Sequence, residues 1–212
     1  MSWRCGGPSW SAGGAQRRYG ITPDLCILAK ILAGGLPGGA VAGRKDVMEQ
    51  LDATAAQSAK REKIGHHGTF NANPLTAAAA VVTLKLVETT DACSRAEATA
   101  EAIRSGMRKV LAEEQVPWGV YGEASAFIIF VNPQHTTIDP ESFDPLALGF
   151  KGLKGARDPA LINRLRLAML ANGVDLMPGP GGLVSATHRP REVGQTLEAF
   201  RRSVRWVKEE GL

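Results

Sequence analysis

Four of the six residues from 34 to 39 are glycine, in the run Gly34-Gly35-Leu36-Pro37-Gly38-Gly39. Glycine and proline are the strongest local breakers in a chain, so no helix or strand continues through such a run. Before it come five apolar residues, Leu25-Cys26-Ile27-Leu28-Ala29, and then one lysine, Lys30. The apolar stretch reads as a short buried strand. Ala40-Val41-Ala42-Gly43 reads as a second small strand, and Asp46 opens a short helix through Leu51. This part of the chain is therefore strand, glycine loop, strand, with a lysine at the point where the first strand ends.

Helix starts punctuate the rest. Asn73-Pro74 and Asp158-Pro159 each pair a capping side chain with a proline at the first helical position. The first predicts a helix to about Glu88, small and apolar in its opening turns and therefore buried against a neighbour. The second predicts a helix that ends at Asn172-Gly173. After Asp91, Ala100, Ile103, Met107, Val110 and Leu111 fall on one face at helical spacing. Pro190 opens a last helix, with Val193, Leu197, Phe200 and Val204 inward. Residues 126–131 form a β-branched and aromatic strand, and residues 174–177 and 183–185 read as short strands. Residues 52–67 and 132–157 read as loops, and there are no internal repeats. The plan is mixed α/β, with a boundary near residue 90 and a compact α+β domain after it.

At 212 residues, with 44% apolar and 22% charged composition, the chain is globular and can bury its own core. No apolar run approaches the ~20 residues of a membrane span. Met1-Ser2-Trp3-Arg4 has no apolar stretch behind it, so no secretory signal is expected. Three cysteines, Cys5, Cys26 and Cys93, cannot all pair and lack metal-ligand spacing, which suits reduced thiols in the cytoplasm. A net charge of +4 is small, and Arg201, Arg202 and Arg205 share their helix with glutamates. The sequence therefore carries no nucleic-acid footprint.

Two segments carry candidate chemistry. A lysine closing an apolar approach is desolvated, which disfavours the ammonium and makes the amine a nucleophile for a Schiff base. The residues alone leave open a snorkelling lysine with its head in water. Gly68-Thr69-Phe70-Asn71-Ala72-Asn73-Pro74 places a hydroxyl before a helix N-terminus, where a phosphate can be held. The same residues equally suit a plain capping loop. Gly38 and Gly43 have phosphate-loop spacing, but Arg44-Lys45 stands where Lys and then Ser or Thr are needed. His66-His67 lacks partners at metal spacing, His188 suits packing or hydrogen bonding, and Asp139, Glu141 and Asp144 read as solvated loop charges.

Taken together, these segments resemble a known family. Gly20-Ile21-Thr22-Pro23-Asp24-Leu25, then Lys30, then Gly34-Gly35-Leu36-Pro37-Gly38-Gly39-Ala40 is similar to the lysine signature of the class-III aminotransferases. Gly68-Thr69-Phe70-Asn71-Ala72-Asn73-Pro74-Leu75 resembles their second signature. Asn172-Gly173-Val174-Asp175-Leu176 and Leu183-Val184-Ser185-Ala186-Thr187-His188 resemble the C-terminal region of the glutamate-1-semialdehyde 2,1-aminomutase branch. The likeness is weak over residues 1–12 and 132–157.

The resemblance implies the pyridoxal-phosphate-dependent transferase fold of type I, aspartate-aminotransferase-like. It implies residues 1–90 as the C-terminal part of a large cofactor domain and residues 91–212 as a small C-terminal domain. Lys30 would hold pyridoxal 5'-phosphate as a Schiff base, and Thr69 would contact the cofactor phosphate of the partner subunit in a homodimer. The substrate would be a small amino or keto acid, handled by a transaminase or an aminomutase. Members of the family are about twice this length. Their aspartate on the pyridine nitrogen, their upstream phosphate loop and their ring-stacking aromatic have no counterpart here. An N-terminally truncated chain is thus expected, catalytically poor alone. The alternative is a folded remnant or dimerisation module without turnover.

Overall fold

The computed structural model describes residues 2–4, 13–154 and 158–211. The chain divides into two compact units, residues 1–93 and 94–212.

The first unit is built on a three-stranded sheet of order β1-β2-β3. Strand β1 is Ser2–Arg4. Helix α1, Gly14–Tyr19, is stopped by Gly20 in the left-handed region. Strand β2, Leu25–Leu28, pairs parallel with β1, Ser2 opposite Leu25. A single 3₁₀ turn, Lys30–Ala33, and the glycine loop then bring the chain back as β3, Ala40–Gly43. β3 lies antiparallel on β2 with Leu28 opposite Ala40. Both β1 and β3 are edges within this unit, and every residue of β3 is exposed. Of β2 only Cys26 is buried, so the strand expected at residues 25–29 is present but less covered than its apolar sequence suggests.

Helix α2, Lys45–Met48, runs into a 3₁₀ turn, Glu49–Leu51. Residues 52–67, expected as loop, contain a helix, α3, Ala53–Ser58. Its signal is Asp52, whose carboxylate accepts from the backbone N–H groups of Thr54 and Ala55 at 2.7 and 3.2 Å. Helix α4, Pro74–Thr89, starts as its sequence predicts: the Asn73 side chain accepts from Leu75 N and Thr76 N at 2.9 and 3.3 Å. It is not buried, contrary to expectation. None of its residues reaches burial, and Leu75, Val82 and Leu86 are more than half exposed. The physical reason is that α4 has packing on one side only, where Ala79 and Thr83 meet the glycine loop.

The second unit holds the larger core. Helix α5 is Ala92–Glu113, and its predicted face is buried throughout: Ala100, Ile103, Met107, Val110 and Leu111. Strands β4, Gly119–Tyr121, and β5, Ala126–Phe130, form an antiparallel pair, Val120 opposite Ile129. The region 132–157, expected as loop, carries a short helix, α6, Gly149–Lys154, and residues 155–157 lie outside the described residues. Helix α7, Pro159–Ala171, starts on the Asp158 cap. Strand β6, Gly181–Leu183, completes the sheet beside β5. The strand expected at 174–177 is reduced to one bridge, Met177 to Gly181, because Pro178 and Pro180 have no N–H to donate to a ladder. Helix α8, Pro190–Glu209, buries Phe200 and Val204 and packs Val193 and Leu197 at the core margin.

Two polar side chains fix this sheet from inside. Arg104, buried on α5, donates to the carbonyls of Ala124 and Ala126 at 3.1 and 2.5 Å and to Glu101. Asn132, buried just after β5, donates to Pro117 O and Thr136 O at 2.8 and 2.7 Å and accepts from Thr136.

Candidate functional site

The candidate residues of the first unit sit where β2 ends. Ala29 is extended, and Lys30 turns into the left-handed region at φ 63°. That conformation costs a non-glycine residue roughly 1–2 kcal/mol and is held only by its surroundings. What holds it lies downstream. Ala33 is buried, and Gly34 closes the turn by donating to Ile31 O at 3.1 Å. A side chain at Gly34 would stand 2.6 Å from Thr83 Oγ1, and one at Gly38 would stand 2.5 Å from Thr76 Cγ2. The glycines are there because the loop lies directly on α4.

Lys30 itself is exposed. The desolvation predicted from its apolar approach is therefore absent, since Ile27 and Ile31 beside it are themselves about 40% exposed and bury little. Its amine is accessible to an incoming carbonyl compound.

Thr69 lies in a turn closed by Asn71 N to Gly68 O at 3.0 Å, and it is exposed. The turn is braced by Asn71, whose Nδ2 lies 3.1 Å from His66 Nδ1. Ala72, at φ 57°, then swings the chain into the Asn73 cap. Between this turn and the glycine loop is a hollow of about 730 Å³, bordered by Pro37, Gly38, His66, Phe70, Asn71 and Thr76. Neither Lys30 nor Thr69 lines it. No hydrogen bond or ion pair joins the two among the described residues.

The tie between the segments is one that sequence reading missed. Thr76 Oγ1 donates to Pro37 O at 3.0 Å, across 39 positions. Its only sequence signal is its place on the first turn of α4, four residues before Ala80 on the same side of the helix.

Elsewhere, polar side chains bond to their near neighbours. Arg44 is held by Asp24 and Asp46, at 2.9 and 2.7 Å, rather than facing a phosphate. Both carboxylates draw its guanidinium proton in, raising its pKa, through Asp46 first. No group of three or more metal-binding side chains occurs among the described residues. His188 Nδ1 lies 3.0 Å from Ser185 Oγ and 3.1 Å from Ser185 N, a turn-closing role. Asp139 and Asp144 accept from neighbouring backbone N–H groups in the exposed loop. No helix among the described residues is long and apolar enough to cross a membrane.

Comparison with known proteins matches these features to one family. The family described as aminotransferase class-III matches residues 5–141. A glutamate-1-semialdehyde 2,1-aminomutase of Thermomicrobium roseum is 32% identical over 194 residues, 91% of this chain and 41% of the relative. An omega-transaminase of Sphaerobacter thermophilus superposes with a TM-score of 0.79 at 29% identity, over 94% of this chain and 42% of that structure. A transaminase solved with PLP bound superposes at 0.78 with 27% identity, over 98% and 44%. The chain thus spans about 41% of the length of the curated relative it matches.

Proposed function

The chain belongs to the class-III aminotransferases and has the type I fold of pyridoxal-phosphate-dependent transferases, aspartate-aminotransferase-like; from that premise we propose that it serves amino-group transfer through Lys30. The single observation that carries this reading is Lys30 itself: an exposed primary amine in a left-handed turn, at the end of a strand and before a glycine loop anchored on a helix. Strained non-glycine residues of this kind concentrate at functional sites.

The donor set fits the cofactor. An accessible amine suits an aldehyde carbon, and the Thr69 hydroxyl in a glycine-containing turn before a helix suits a phosphate oxygen. Pyridoxal 5'-phosphate, when bound, supplies that aldehyde and an electron-accepting ring. Lys30 would hold that aldehyde carbon through Nζ, and as a free amine it would carry a proton at the reacting carbon. Thr69 holds the phosphate of the partner subunit's cofactor in a twofold dimer, in which each patch serves its mate.

In this reading residues 1–90 are the C-terminal part of the large cofactor domain and residues 91–212 the small domain; the division at residue 93 supports the boundary. The substrate is a small amino or keto acid, in either aminomutase or transaminase chemistry, with no nucleic-acid or membrane partner. Three cysteines, which cannot all pair and lack metal-ligand spacing, support a reduced, cytoplasmic setting.

The test is spectroscopic. The chain extended to the full length of its relatives and loaded with pyridoxal phosphate should lose visible absorbance on adding an amino donor and regain it with a keto acid, and Lys30→Ala should abolish the cycle. A cycle unaffected by Lys30→Ala would overturn the proposal. The second reading, a folded module without turnover, draws on the open apolar face of α4, where Leu75 is 67% exposed. Cofactor binding at Lys30 with no response to any amino donor would favour it.

A further inference from the structure

The left-handed turn at Lys30 needs an external hold, and the structure supplies one from the helix that follows Thr69. Thr76 does two things at once. Its hydroxyl donates to Pro37 O at 3.0 Å, in the middle of the glycine loop. Its methyl sits where a side chain at Gly38 would collide, 2.5 Å from that position. One turn further along α4, Ala79 and Thr83 take Gly34 in the same way. The loop is thus pressed against α4 at both ends, and at Pro37 it is also hydrogen-bonded. Thr76 N is itself fixed by the Asn73 cap at 3.3 Å, and Asn73 N is bonded to Phe70 O at 3.3 Å. A continuous chain of contacts therefore runs from the Thr69 turn, through Asn73 and Thr76, to the loop that closes the Lys30 turn.

We infer that Thr76 is a positioning residue for Lys30: through Pro37 and Gly38 it locks the glycine loop to the first turn of α4, and so holds the Lys30 turn in the conformation that presents its amine. The inference rests on the reading of Lys30 as the cofactor amine, and it assigns Thr76 no contact with cofactor or substrate. A loop freed from Pro37 allows the Lys30 turn to relax toward ordinary backbone angles, because nothing then offsets the cost of the left-handed conformation.

Two variants separate the hydroxyl from the methyl. Thr76→Val keeps the methyl and removes the hydrogen bond, whereas Thr76→Ser keeps the hydrogen bond. The 212-residue chain is mixed with pyridoxal phosphate and quenched with borohydride, which delivers hydride to the C=N carbon and fixes the link as a secondary amine. Peptide mapping gives the rate at Lys30 relative to Lys85, an exposed lysine on α4 that serves as internal reference. One neutral hydrogen bond is worth ~1 kcal/mol, so Thr76→Val should slow labelling at Lys30 about fivefold with labelling at Lys85 unchanged. Thr76→Ser should stay within about twofold. A general loss of fold would move both lysines and the melting midpoint, and is thereby distinguished.

If Thr76→Val labels Lys30 at the wild-type rate, Thr76 does not position Lys30, and the cofactor reading stands without it. If Thr76→Ser slows labelling as much as Thr76→Val, the hydrogen bond is not the cause and the inference is wrong. If the wild-type chain takes no label at Lys30, the cofactor reading falls and this inference with it. Should Thr76→Val fail to fold, Gly38→Ala opens the same contact from the loop side, and a wild-type rate there overturns the inference equally.

Discussion

Arg205 holds one oxygen of Glu114 from two nitrogens, Nε at 3.0 Å and Nη2 at 2.8 Å, across 91 positions of sequence. Arg201 reaches the same oxygen at 3.1 Å, and Lys208 donates to the Glu114 carbonyl at 2.7 Å. The end of α5 is thus fastened along one side of α8. The hydrogen bond from Arg205, and then that from Arg201, holds the Glu114 carboxyl below its usual range.

A carboxyl whose pKa is lower in the folded state contributes stability above its unfolded pKa, and that contribution is lost as pH falls through the folded value. Glu114→Gln should therefore destabilise the second unit at pH 7 by about 1 kcal/mol, a modest figure because Arg205 is half exposed. The difference between variant and wild type should close as pH drops below ~4.5. Urea unfolding at both pH values measures it. A difference that persists at low pH would mean that the carboxylate charge is not responsible.

Asn132 tests the inner pin of the same unit. It is 2% exposed, sits at φ 47° and spends its amide on Pro117, on Thr136 and on the left-handed turn itself. Asn132→Ala should cost about 3 kcal/mol, from buried carbonyls left unpaired and from the strained backbone. Asn132→Gly loses the same bonds without the backbone cost and should be about 1 kcal/mol less damaging. Equal losses in chemical unfolding would show that the backbone angle contributes nothing.

Gly119 on β4 is a seat for Phe143, whose ring fills the space a side chain there would need. Phe143 in turn stacks on Phe130, with centroids 5.7 Å apart and planes 8° from parallel. Gly119→Ala should force the ring out and cost about 1–3 kcal/mol. Near-ultraviolet circular dichroism should weaken with it. An unchanged aromatic signal and unchanged stability would contradict this packing.

How much of this was legible depends on where each element buries itself. The faces of α5 and α8 could be read directly, because Met107, Leu111, Phe200 and Val204 pack into a core that the second unit supplies from its own residues. The Asn73 and Asp158 caps were legible because a cap is a local bond between side chain and backbone. Helix α3 was not, since six residues are too few to show a period and only Asp52 marks its start. Helix α4 misled for the opposite reason. Its apolar sequence asks for cover, yet among the described residues it packs against the Lys30–Ala33 turn and the glycine loop on one side. At the candidate site, Lys30 and the glycines could be found from sequence, but the exposure of Lys30, its left-handed backbone and the Thr76 to Pro37 bond all depend on how loop and helix meet.

The two site residues should also complement each other between chains. If Thr69 serves the partner subunit's cofactor, Lys30→Ala chains and Thr69→Ala chains form mixed dimers with one intact site of the two. Equal mixing should then restore about a quarter of the wild-type cofactor retention, half the dimers being mixed. Retention no better than the average of the two separate variants would place Thr69 in the same site as Lys30 of its own chain, or in none.

Amino-group transfer by this chain depends on one covalent position, Lys30. Chain incubated with pyridoxal phosphate, reduced with borohydride and digested should carry pyridoxyl on the peptide containing Lys30 well above the background at exposed lysines such as Lys85, and Lys30→Ala should leave only that background. Modification spread over exposed lysines such as Lys85 and Lys109, with Lys30 untouched, would contradict the assignment of Lys30 and the function built on it.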